Sequence, residues 1–192
     1  MNLPNKLTIS RLILVFVFAI FAFPVTWFRA APWIAFVIYS IASATDSLDG
    51  YLARKNKQVT DFGKFLDPIA DKLLVSTALI ALIPAVHARG GWTYHIYLWA
   101  TMITLAREFA VSGVRMIAAS KGKVIAAGRM GKLKMLFQTI SLIVLLFDRA
   151  LYNGAEGVLF IIGTVILGIA TVLTILSGLE YIIKNKELLS TR

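Results

Sequence analysis

The chain has 192 residues, 58% of them hydrophobic and only 16% charged, with a mean hydropathy of +0.78. That apolar share excludes an ordinary soluble domain, and the uncharged runs are of membrane-helix length. A net charge of +10 would suit nucleic acid in a soluble protein, but its placement along this chain argues against that, and the lack of cysteine excludes both disulfides and a thiolate metal site.

In chain order, the first dozen residues, with Pro4, Asn5, Lys6, Thr8 and Arg11, read as a short interfacial helix leading into a first span, Leu12 to Phe28. No clear small-residue cleavage site follows this span, so it reads as retained rather than as a signal peptide. A second span, Ala30 to Thr45, ends near Asp49 and Gly50, and a basic loop with Lys55 and Lys57 follows. The third span starts near Gly63 and has its apolar run from Leu73 to Val86, with Asp61 expected as its cap. The fourth runs from Gly90 to Ala106. A basic connection over about Lys121 to Lys134, bent at Gly122, Gly128 and Gly131, leads to the fifth, Met135 to Phe147. The sixth is Gly157 to Leu179. The expected fold is all-α: one polytopic membrane domain over 1–192, six transmembrane helices preceded by the interfacial helix.

With the N-terminus inside, seventeen of the twenty Lys and Arg residues fall on the inner side, and only Arg29, Arg89 and Arg149 fall outside. This positive-inside bias predicts a multi-pass protein of the cell membrane with both termini in the cytoplasm. Lys121 and Lys123 read as topology charges. His87 and His95 fall in an outer connection and read as surface or interfacial residues. Trp27, Trp33, Trp92 and Trp99 read as interfacial anchors or packing residues, and Tyr39 and Tyr51 as lipid-facing or core.

The chemistry lies in four aspartates on that inner side. Asp46 and Asp49 are three residues apart, Asp67 and Asp71 four, so on helices each pair shares a face. Ionisable groups at membrane depth are costly and mark function. Two antiparallel helices with such faces would form a box of four carboxylates, hard oxygen ligands suited to Mg²⁺ or Mn²⁺. Two ions held there would suit displacement at phosphorus. Gly50 and Ala53 leave room for a base or a diphosphate, Arg54 offers a planar donor to phosphate, and Pro68 could help aim Asp67.

A second group is basic. Arg107 and Arg115 are eight residues apart, about two helical turns, and Arg129, Lys132 and Lys134 could close a pocket beside them. Such a cluster suits a dianionic phosphate group, bound through charge-assisted and often bidentate bonds, and a neutral ligand would not need it. Glu108 points about 100° away from Arg107 and is expected to pair with another basic residue.

The pattern D-x2-D-G-x2-A-R-x8-G-x3-D-x3-D is complete from Asp46 to Asp71, eight fixed positions in 26 residues. It resembles the signature of CDP-alcohol phosphotransferases. The resemblance implies a six-span dimeric fold and transfer of a substituted phosphoryl group from a CDP-linked donor to an alcohol, with release of CMP. It also implies that Asp46, Asp49, Asp67 and Asp71 hold metal and that Asp71 is the general base. Donor contacts would fall on Asn5, Thr8, Gly50, Ala53, Arg54 and Gly63. The segments Asn2 to Arg11, Ala106 to Phe109, Ser112 to Arg115, Gly131 to Lys134 and Leu176 to Tyr181 are similar to the phosphatidylglycerophosphate synthase branch, departing at Met135, where many relatives carry Thr. That branch implies CDP-diacylglycerol as donor and sn-glycerol 3-phosphate as acceptor. Phosphatidylinositol-phosphate synthase and cardiolipin synthase of the same family remain alternatives. From another class, so does a divalent-cation transporter, against which all four aspartates lie at one face rather than near the midplane.

Overall fold

A computed structural model describes residues 3–23, 29–56, 61–88, 90–122, 125, 128–152 and 157–186, with the side chains of 3–8, 46–56 and 61–68 outside the description. Asn2, Trp27, Lys57, Arg89, Lys123, Asn153, Gly154 and Arg192 therefore lie outside the described residues. Six helices make up the described chain: α1 (Leu3–Ala22), α2 (Ala31–Asn56), α3 (Asp61–His87), α4 (Thr93–Ser120), α5 (Arg129–Tyr152) and α6 (Val158–Lys184).

Two boundaries differ from expectation. The interfacial segment and the first span are one continuous helix, α1, because no residue after Pro4 interrupts the backbone ladder, and Pro is tolerated in a helix's first turn. The basic connection after α4 is shorter than expected. Gly122, at φ +70°, ends α4 in the left-handed conformation that glycine adopts readily, and its N–H donates to the Ala119 carbonyl. α5 then begins at Arg129, so Arg129, Lys132 and Lys134 are helical rather than loop residues. Asp61 is the first residue of α3.

Among the described residues, α3 from Ile69, α5 and α6 are long and apolar enough to cross a membrane, while α1 and α2 carry shorter apolar stretches, Ile9–Ala22 and Ala31–Thr45. α4 carries Arg107, Glu108 and Arg115 in its second half. The packing is that of a protein in lipid. On α6 the buried residues include Gly163, Ala170, Thr174, Ser177 and Gly178, whereas Val158, Ile161, Val165, Val172 and Leu179 are exposed. A helix whose outer face is more apolar than its inner face has hydrocarbon as its solvent.

Small residues let the helices approach. A Cβ on Gly163 would stand 2.6 Å from a Leu145 methyl, and the Ser141 hydroxyl donates to the Gly163 carbonyl at 2.8 Å. Such an interhelical bond contributes about 0.6 kcal/mol in a bilayer. The Tyr97 and Thr164 hydroxyls bond at 2.8 Å between α4 and α6, and the Tyr97 ring stacks on Phe160. On α1 the buried stripe is Arg11, Val15, Phe18 and Ala22, which places a charged residue in line with three core residues. Tyr39 of α2 is buried against Phe18 and belongs to this core. At the opposite end, Arg149 Nη1 donates to the Ala22 carbonyl at 2.5 Å, satisfying an acceptor at the end of α1.

Candidate active site

α2 carries Asp46, Asp49, Gly50, Ala53 and Arg54, and α3 carries Gly63, Asp67 and Asp71. Each aspartate pair lies within one unbroken helix, and α3 continues through Pro68, so both spacings are helical. The side chains of Asp46, Asp49, Asp67 and Arg54, like those of Asn5 and Thr8 on α1, are outside the description. Asp71 is described, and it is the hinge of the site.

The Asp71 carboxylate is about one-third exposed, and its Oδ1 accepts from Arg11 Nη1 at 3.0 Å. Two cavities meet at this residue. The larger, about 560 Å³, lies among α3, α4, α5 and α6. Its lining includes Lys72, Arg107, Arg115, Lys134 and Lys184, against the acids Asp71, Glu108 and Glu180. The smaller, about 270 Å³, lies among α2, α3 and α5 and is lined by Tyr39, Ser43, Leu74, Val75, Lys132, Met135, Leu136 and Thr139, again with Asp71. One cavity is thus basic, and the other mostly apolar with a lysine on its wall.

Of the five basic residues expected to hold an acceptor phosphate, Arg107, Arg115 and Lys134 line the larger cavity together. Lys132 lines the smaller one, and Arg129, exposed at the start of α5, lines neither. One turn of helix separates Arg129 from Lys132, and Lys134 points elsewhere again, because successive positions on α5 rotate by about 100°.

A carboxylate organises the basic cavity. Glu108 Oε1 accepts from Arg107 Nη1 at 3.0 Å and from Lys134 Nζ at 2.6 Å. Glu108, expected to pair with another basic residue instead of Arg107, does pair with Lys134, but Arg107 pairs with it as well, because the long arginine side chain bridges the rotation between neighbouring positions. Arg107 Nη2 also donates to Ser177 Oγ at 3.2 Å. Lys72 Nζ hydrogen-bonds Ser112 Oγ, which donates to the Glu108 carbonyl. Arg115 Nε donates to Tyr181 Oη at 3.4 Å, with the guanidinium 5.7 Å from the ring centre, in cation–π range. Lys134 is 5% exposed, so its charge is buried and depends on Glu108 as a partner. The cavity keeps more cationic than anionic groups, with N–H donors converging from four helices. That arrangement suits a phosphate dianion.

Sequence reading did not single out Arg11, Lys72, Ser177 or Tyr181 as site residues. For Arg11 a signal existed: a charge in helical register with Val15, Phe18 and Ala22. For Ser177 and Tyr181 the contacts are made to residues some 66 to 70 positions away, which no local pattern reveals. His87 and His95, at the other end of the molecule, each pack against the Tyr94 ring.

The family profile described as CDP-alcohol phosphatidyltransferase matches residues 1–176. The chain belongs to the CDP-alcohol phosphatidyltransferase family. Members of the CDP-alcohol phosphatidyltransferase family are in general dependent on a divalent metal. Three curated members similar to this chain are named CDP-diacylglycerol–glycerol-3-phosphate 3-phosphatidyltransferase. The one from Bacillus subtilis (strain 168) is 40% identical, over 99% of this chain and 98% of its own length. That of Escherichia coli (strain K12) is 36% identical and that of Rickettsia felis 37%, each over 94% of this chain and 93% of its own length. The profile takes in every aspartate of the motif and the α4 and α5 parts of the basic cavity.

Proposed function

We propose that this protein transfers the phosphatidyl group of CDP-diacylglycerol to sn-glycerol 3-phosphate, giving phosphatidylglycerophosphate and CMP. The observation that carries the reading is the position of Asp71, one carboxylate shared by a basic cavity and a mostly apolar one. Family membership and the names of the three relatives support the same reaction.

The larger cavity takes the acceptor. Arg107, Arg115 and Lys134 bind its phosphate, Glu108 holds two of them in place, and Asp71 faces the free primary hydroxyl. The smaller cavity takes the donor, with Lys132 near its phosphates and apolar residues along the lipid. Asn5, Thr8, Gly50, Ala53, Arg54 and Gly63 complete the donor site. Asp71 removes the hydroxyl proton as the acceptor oxygen bonds to the phosphorus that bears diacylglycerol. The bond from that phosphorus to the CMP phosphate oxygen breaks, and CMP departs. Holding both substrates at one carboxylate supplies much of the rate in phosphoryl transfer.

The residues fit a divalent metal: two aspartate pairs at helical spacing on consecutive helices, all hard oxygen donors, with Asp71 open to both cavities. Asp46, Asp49, Asp67 and Asp71 would hold Mg²⁺ or Mn²⁺, two ions per site. Bound there, the metal supplies charge neutralisation at the diphosphate. The whole chain acts as one membrane domain, as a homodimer, with both termini and the site at the cytoplasmic face, in keeping with the seventeen-to-three placement of basic residues.

The test is CMP release by purified protein from CDP-diacylglycerol, with glycerol 3-phosphate, inositol phosphate, serine and phosphatidylglycerol as parallel acceptors. Release with glycerol 3-phosphate alone supports the reading. Release only with another acceptor overturns the substrate, and metal flux into liposomes without CMP release overturns the enzyme.

A further inference from the structure

Alanine is the best residue for a helix interior, and glycine among the worst, yet α6 carries Gly178 well inside its span. No turn or positive φ accounts for it. The space beside it does. A Cβ at this position would stand 2.9 Å from Arg107 Cγ, closer than carbon atoms pack, and 3.9 Å from Arg107 Nε. Cγ is the second atom of the arginine side chain. It cannot yield as a flexible tip can: Arg107 would have to leave its rotamer, or α6 would have to back away.

The neighbouring residue completes the arrangement. Ser177 Oγ donates to the Thr174 carbonyl, and it accepts Arg107 Nη2 at 3.2 Å. Across the guanidinium, Glu108 takes Nη1 at 3.0 Å. On a third side, α5 presents Gly131, where a Cβ would lie 3.7 Å from Nη2. Arg107 Nε is buried with no hydrogen-bond partner among the described residues. An arginine free to choose its path would turn that N–H to an acceptor. Packing against Gly178 therefore sets the path of the chain, and Ser177 and Glu108 fix the plane at its end.

We infer that Ser177 and Gly178 form a seat on α6 that aims the Arg107 guanidinium into the larger cavity, and so are positioning residues for the phosphorylated acceptor. The inference rests on the reading of Arg107 as an acceptor-phosphate ligand. Neither residue touches the reacting atoms. Both act through Arg107, and both lie just beyond residue 176, where the family match stops.

The experiment is steady-state CMP release by the full-length protein in detergent–lipid micelles, varying each substrate, for Gly178→Ala, Ser177→Ala, Arg107→Lys and the two double variants with Arg107→Lys. Gly178→Ala is expected to raise KM for glycerol 3-phosphate by about tenfold with KM for CDP-diacylglycerol within about twofold, and to add less than about twofold once Arg107 is Lys, since residues acting through one group are not additive. Ser177→Ala, which introduces no clash, follows the same pattern with a smaller rise. Gly163→Ala is the packing control: it strains α6 against Leu145, far from Arg107, and should lower thermal stability without moving the acceptor KM. An unchanged acceptor KM in both seat variants, or their full effect persisting with Lys at 107, would overturn the seat while leaving the reaction standing. An Arg107→Lys protein with the native acceptor KM would instead overturn the ligand reading beneath it, and the seat with it.

Discussion

Arg11 of α1 and Asp71 of α3, sixty residues apart in the chain, meet at 3.0 Å, with the guanidinium almost fully buried and the carboxylate open to both cavities. The rest of the Arg11 stripe, Val15, Phe18 and Ala22, is packed into the core. The arginine is therefore fixed from behind, and it fixes the carboxylate in turn. In the proposed reaction Asp71 meets a substrate hydroxyl and helps to hold metal, and a group with those two tasks gains from such an anchor.

Arg11→Ala is expected to lower kcat by about tenfold to a hundredfold, the cost of a modest misplacement of a reacting group. Its KM for glycerol 3-phosphate should stay close to native, because Arg11 does not line the basic cavity. Arg11→Lys keeps the charge but not the planar fork and should recover only part of the rate. Initial rates at saturating substrates, with the folded fraction checked by size-exclusion chromatography, would decide it. A native kcat in Arg11→Ala would remove the positioning role.

Glu108→Gln tests the centre of the basic cavity. The amide can still accept one bond, but two cations lose their charged partner, and a charge-assisted bond is worth about 1.5–3 kcal/mol. The acceptor KM should rise by about tenfold or more, with the donor KM little changed. If Glu108 only repelled the phosphate, the same substitution would lower the acceptor KM, so the sign of the change separates the two roles.

How far the sequence alone reached is clearest in this cavity. The aspartate motif was legible because its spacing is local: three and four residues on one helix make a shared face, and α2 and α3 bear out that helicity. Arg107 and Arg115 were legible for the same reason. Lys132 was grouped with Lys134 by proximity in sequence, and a helix turns such neighbours to different walls. Ser177 and Tyr181 depend on packing between helices distant in the chain, which hydropathy does not encode, whereas Arg11 is marked by its helical register with Val15, Phe18 and Ala22. Six helices were legible from apolar runs, but their polar extensions were not: α2 runs on to Asn56 and α4 to Ser120, past the ends of the uncharged runs.

Arg115 is held by Tyr181, through a hydrogen bond to its hydroxyl and the stacking of the guanidinium over its ring. Arg115→Ala should raise the acceptor KM by about tenfold through loss of a charged phosphate contact. Tyr181→Phe, which keeps the ring and loses only the hydroxyl, should change it much less. A change confined to the CDP-diacylglycerol KM would reassign Arg115 to the donor.

Asp67→Ala removes one of the four carboxylates proposed to hold metal. The concentration of Mg²⁺ giving half-maximal activity should rise by about tenfold or more, as expected when a charged ligand is lost from an oxygen site. Chelation of the native protein should abolish turnover, and added Mg²⁺ or Mn²⁺ should restore it. An unchanged metal titration in Asp67→Ala would count against ligation by this residue.

Asp71, the carboxylate shared by the two cavities, is the centre of the proposed reaction. The measurement is CMP release from CDP-diacylglycerol with glycerol 3-phosphate and Mg²⁺, comparing the native protein with Asp71→Asn at equal amounts of folded protein. The amide keeps the size of the side chain but cannot take the hydroxyl proton, so turnover is expected in the native protein and at least about a hundredfold less of it in the variant. Near-native turnover in Asp71→Asn would rule out Asp71 as the general base.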